Sequence, residues 1–246
     1  MQKLAIELHR LYVPADKLPN ELLVENMSGQ KTHLTSLLSA DGTTRAIVIP
    51  FEKLQAGEGA QHWSLLCEVA NALQNELGLP APAVSISADK GFALWLSLEL
   101  PVSVGVAQQF VGLLRLAYFP QADIPAVGAP LAVPPCVSEQ SGRWAAFINP
   151  GLGASFADES GLDMPPPLAG QVALLEQLES ISEKKFLGAM EQLRQLLGAP
   201  AAAVATAPVP VPTAQGLLLK DATLEDIVNH LHGLDIEPTF RHLIRK

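Results

Sequence analysis

Cysteine is scarce in this chain. Cys67 and Cys136 are its two cysteines in 246 residues, and they lie far apart in unlike contexts, one inside an amphipathic segment and one after Pro134-Pro135. That rules out a disulfide framework or a cysteine-based metal knuckle, and both read as buried or half-buried free thiols. Long apolar runs are missing too. The best stretch, Phe92 to Val106, is broken by Glu99 and Pro101 and falls short of the eighteen or so uninterrupted apolar residues that a membrane span needs. The opening MQKLAIELHRLY places Glu7, His9 and Arg10 inside its apolar pattern, unlike a secretory signal, so a cytoplasmic protein with no membrane partner is expected. Positive charge is also in deficit: 16 Lys and Arg stand against 25 Asp and Glu, a net charge of −9. A surface that grips nucleic acid everywhere is therefore excluded, although a local basic groove is not. There is no GxxxxGK[ST] loop, no Cys/His cluster and no nucleophile elbow, so neither metal nor cofactor is expected. His230 and His232 are two apart on an expected helix and cannot share a face as a metal pair.

Apolar residues, at 48%, suffice for a sizeable core. The most informative stretch is Val84 to Val104. Two strand-like runs, Ala83–Ser87 and Phe92–Leu98, flank the turn Ala88-Asp89-Lys90-Gly91 and predict a β-hairpin at the centre of a sheet. Phe92, Leu94, Leu96 and Leu98 alternate with Ala93, Trp95, Ser97 and Glu99, which makes the second set the candidate working face. Pro101 is expected to end this strand. Thr44 to Phe51, TRAIVIPF, reads as a further strand, placed centrally, and Arg143 to Asn149 as another.

Helical spacing covers residues 3–12, Gly59–Leu77 with Gly78 and Pro80 as its stop, Val104–Phe119, and Ala169–Leu197 as two helices meeting near Ser182. Intermingled strands and helices predict an α/β or α+β layered domain over residues 1–197. Residues 198–216, GAPAAAVATAPVPVPTAQG from Gly198, form a Pro/Ala-rich linker. Residues 217–246 make a small helical tail whose Leu224, Ile227, Leu231, Phe240 and Leu243 are the candidate docking residues for a protein partner.

The order strand, amphipathic helix, hairpin with S-x-x-x-G-F-x-L-W, helix, Pro-rich loop, then G-R-W-x-x-F-I resembles the catalytic core of the archaeo-eukaryotic primase family, the primase-polymerases of replicons and mobile elements. The likeness runs over residues 45–195, strongest in SADKGFALWLSLELPV (Ser87 to Val102) and in Pro134-Pro135 ahead of SGRWAAFI. It implies a primase-polymerase-like fold, with two metal-binding carboxylates one residue apart on the first strand, a hairpin histidine touching nucleotide phosphates and a further aspartate. Here the carboxylate slots fall on Pro50 and Glu52, the histidine slot on Ala93, and nothing acidic leads into Pro134-Pro135. Glu52 is then the one retained candidate acid. The same residues that carry the likeness thus predict loss of polymerase chemistry.

The expected function is a catalytically degenerate primase-polymerase-like factor of a replication or mobile-element system that binds nucleic acid or a partner. The rival is a protein-interaction module with no nucleic-acid role, and a third reading keeps an active nucleotidyltransferase built on Glu52 and other acids. Candidate contacts to single-stranded DNA, expected to be weak, are Lys90, Arg115 and Arg143 for phosphates, with Trp95 and Trp144 for base stacking. Each has a structural counterpart: solvated surface charge for the cations, packing for the tryptophans. Asp158, Glu159 and Asp163 read as solvated charge in a Gly/Pro loop.

Overall fold

A computed structural model describes residues 1–14, 16–52, 61–88, 91–156, 159 and 161–198. The linker and tail, with Leu224, Ile227, Leu231, Phe240 and Leu243, lie outside the described residues, as do Lys90, Asp158, His230 and His232. Helices α1 (Gln2–Leu11) and α2 (Asn20–Ser28) precede two strands, β1 (Leu34–Thr35) and β2 (Thr43–Glu52). Helix α3 (Gln61–Asn71) runs into a π-helical turn, Ala72–Glu76, and stops where Gly78 adopts φ +64°. Then come β3 (Ala83–Ile86), β4 (Gly91–Ser103), α4 (Val104–Tyr118), β5 (Leu131–Ala132), β6 (Cys136–Val137), β7 (Trp144–Ile148), a 3-10 segment (Pro150–Phe156), α5 (Leu168–Glu176) and α6 (Glu183–Gly198).

The strands form an antiparallel five-stranded sheet in the order β2-β4-β3-β7-β6, while β1 and β5 pair separately. Antiparallel pairing with helices packed on both faces defines an α+β architecture. The predicted hairpin is β3–β4, with Ala83 opposite Trp95 and Ile86 opposite Phe92. Strand β2, expected in the centre, is instead the edge strand. Its apolar run reflects burial of a face, not of both edges: Ile47, Ile49 and Phe51 point into the larger core.

Pro101 does not end β4, which continues to Ser103 and pairs with Thr43 and Thr44. The ladder shifts register between Thr44, opposite Val102, and Ala46, opposite Ser97, so Leu98–Pro101 bulge out of β4 across from Arg45, whose Nε donates to the Leu98 carbonyl. A bulge relaxes the ladder where the missing proline N–H would otherwise break it.

Alternation sorts the rest. Phe92, Leu94, Leu96 and Leu98 join Ile47, Ile49, Val84 and Ile86 against α3, α4 and α6, the last contributing Phe186, Met190 and Leu193. Each such fully buried side chain contributes on the order of 1.5–3 kcal/mol. The opposite face carries Ala83, Trp95 and Phe147 against Leu4, Leu8, Leu11 and Tyr12 of the α1 region and Leu175 of α5. Ser103 caps α4 by accepting from Val106 N, and Ser182 caps α6 by accepting from Lys185 N. Asn20–Ser28 is helical although only a weak amphipathic pattern marks it, and its burial rests on Leu23, Asn26 and Met27.

Candidate functional site: a cleft on the open half of the sheet

Helices α1 and α5 cover one half of the second sheet face. Over the other half lies a cleft of about 890 Å³. Its floor is set by the two-residue period of the strands: Val48, Pro50 and Glu52 from β2, Ala93 from β4, and Ser85 from β3 face it, while the residues between them face the core. Pro50 and Ala93 are direct cross-strand partners, as are Ala93 and Ser85, so these three stand in a row across the sheet.

The cleft's far wall is the Pro-rich loop 123–132, which is pinned at several points. The Val127 N–H donates to the Gln108 side-chain oxygen at 2.7 Å and the Ser36 hydroxyl donates to the Gly128 carbonyl at 2.7 Å. Gly128 sits at φ +89° with Leu38 so close that a Cβ would lie 2.4 Å from its Cδ1. Pairing of Leu34 with Ala132 and a hydrogen bond from the Thr32 hydroxyl to the Val137 carbonyl tie the segment after α2 to the same wall. The wall is thus built in advance of any occupant.

The sequence-derived candidates do not converge here. Trp95 borders the cleft on the same sheet face, but packing against the α1 region leaves it 2% exposed; its indole N–H donates to the Ser85 hydroxyl at 2.8 Å and its ring meets Tyr12 and Phe147 edge-on at 5.2 and 5.5 Å. No face is left for a base, so Trp95 is a core residue. Trp144 is half-buried, its ring packed over Gly29. Arg115 donates to the carbonyls of Pro120 and Ala122 and closes the C-terminus of α4. Arg143 bridges Glu159 at 3.2 Å and Asp163 at 3.1 Å. Glu159 and Asp163 are exposed, as expected, and through Arg143 they pair the loop before α5 with the start of β7.

Glu52 does line the cleft, and Asp123 and Glu139, which the sequence reasoning passed over, line it with Glu52. Nothing in local periodicity places a Pro-rich loop over a sheet face, so neither residue was findable from spacing. Among the described residues these carboxylates form no group of three able to hold a metal ion, and no Lys or Arg lines the cleft. Cys136 is buried at its edge and Cys67 is half-buried on α3, neither in a disulfide; burial, then the neighbouring Glu68, pushes the Cys67 thiol up. Among the described residues no helix is long and apolar enough to cross a membrane.

No family model matches the chain, and no curated protein matches it. Among solved structures it is similar to the AEP domain of the cyanophage S-2L primase-polymerase, with a TM-score of 0.29 and 14% identity over 55% of this chain and 61% of that one.

Proposed function

We propose that the chain is a primase-polymerase-like protein that has lost nucleotidyl transfer and acts by binding, in a replication or mobile-element setting. One observation carries this reading. The two positions at which the sequence resemblance asks for a metal carboxylate and a phosphate-contacting histidine are occupied by Pro50 and Ala93, and these are cross-strand neighbours on the floor of one cleft. A proline has no group with which to ligate a cation and an alanine has no donor for a phosphate, so of the carboxylate pair that the resemblance asks for on the first strand only Glu52 is there.

The test is incorporation of deoxynucleotides on primed and unprimed templates with Mg²⁺ or Mn²⁺. No extension above a protein-free control is the expected result. Extension that Glu52→Ala abolishes would overturn the reading.

A second reading, a module acting through protein contacts alone, is favoured by the absence of Lys and Arg from the cleft among the described residues and by the engagement of Arg115 and Arg143 elsewhere. The tail belongs to either reading as the element that captures a protein partner. Its apolar residues are too few to make a core and too many to leave in water. Removing residues 199–246 is expected to leave the melting temperature of the remainder within a few degrees, because Met1–Ala201 closes on itself as a compact unit. A drop of about 10 °C or more in differential scanning calorimetry would assign the tail to intramolecular packing.

A further inference from the structure

We propose that the cleft over β2, β4 and β3 receives a short peptide segment of a partner protein that carries apolar and cationic side chains at intervals. This names the partner class for the binding role above and rests on that role. The floor is floored with small groups, Pro50, Ala93 and Ser85, so it offers depth to incoming side chains instead of being filled by its own.

Leu34 stands at the lip and is 67% exposed, an apolar side chain with nothing in its own chain to cover it among the described residues. Exposed Asp123 and Glu139 stand on the walls, and no Lys or Arg lines the cleft among the described residues. Two exposed carboxylates beside the apolar lip suit a cation-bearing apolar segment, because electrostatic complementarity selects partners and speeds their encounter.

The spacing of the carboxylates decides between a point charge and a chain. They do not gather into a metal-holding group, so one small cation cannot meet them together, whereas a peptide presenting basic side chains along its length can. The pinned wall lowers the ordering that binding would otherwise require.

The experiment uses the full chain and a fluorophore-labelled, end-capped nine-residue peptide alternating leucine and lysine, followed by anisotropy. A matching leucine–glutamate peptide and an oligothymidylate serve as competitors. Saturable binding to the leucine–lysine peptide is expected. It should weaken at least tenfold in Ala93→Trp, which fills the floor, and severalfold both in Leu34→Asn and in the double variant Asp123→Asn, Glu139→Gln, which should also depend less on salt. Leu34, Asp123 and Glu139 are exposed, so those variants test the cleft even if Ala93→Trp fails to fold.

Binding that is indifferent to the Leu34 and carboxylate variants, equal affinity for the leucine–glutamate peptide, displacement by oligothymidylate, or no saturable binding would each overturn the inference. Its failure is distinguishable from that of the silent-site reading: primer extension sinks the latter whatever the peptide does, and an indifferent cleft leaves the extension assay untouched.

Discussion

Replacing Gln171 with methionine is expected to lower stability by about 2–6 kcal/mol, because two buried backbone groups lose a hydrogen-bond partner and each unmet group costs about 1–3 kcal/mol. Gln171, 4% exposed on α5, accepts from the Phe147 N–H and donates to the Phe147 carbonyl, both at 2.8 Å. The side-chain amide thereby imitates a strand. It is needed because β6 pairs only Val137 with Trp144 and Cys136 with Ala145; continuing that ladder would bring Pro135 and Pro134 opposite Ala146 and Phe147, and proline has no N–H to give. Methionine keeps the volume and removes the amide, so a deficit measured by urea denaturation reports the hydrogen bonds and not a cavity. A change below about 0.5 kcal/mol, the ordinary range of surface substitutions, would show that Phe147 finds other partners.

Trp95→Ala should cost about 3–5 kcal/mol, the usual range for deleting a large buried aromatic. Tyr12 and Phe147 also stack on each other at 6.1 Å, so the three rings brace α1 and β7 against β4. Burial holds the Tyr12 hydroxyl well above its usual titration range, so this cluster stays uncharged throughout ordinary working pH. Trp95→Phe is the informative partner: it keeps most of the packing and loses the indole bond to Ser85, and it should retain most of the stability that alanine forfeits. If Trp95→Ala left the urea midpoint unchanged and instead removed affinity for single strands, Trp95 would be a stacking platform after all.

Periodicity made the layers legible and left their closure hidden. The alternation from Phe92 to Leu98 assigned each residue to the correct face, since a strand's side-chain period is a local property. Which faces stay open is not local. Trp95 was placed on the exposed side of β4, and it is on the predicted face, yet α1 from the far end of the chain covers it. Position in the sheet was equally unreadable: Ile47-Val48-Ile49 has the composition of an interior strand, because burial of a face and pairing of both edges leave the same apolar signature. The cleft itself depends on a loop held by Gln108 and Ser36, residues whose sequence neighbourhoods announce nothing about it.

The edge placement of β2 bears on solubility as well as on chemistry. An apolar, β-branched edge strand is a template on which a second chain can grow a sheet, the first step of aggregation. Strand β2 is interrupted along that edge by Pro50, which can never donate to an incoming backbone, and the bulge of β4 opposite Arg45 adds local twist. Pro50 on the cleft floor therefore also acts as a gatekeeper against self-templating. Exchanging it for a plain apolar strand former should make the protein more prone to precipitate.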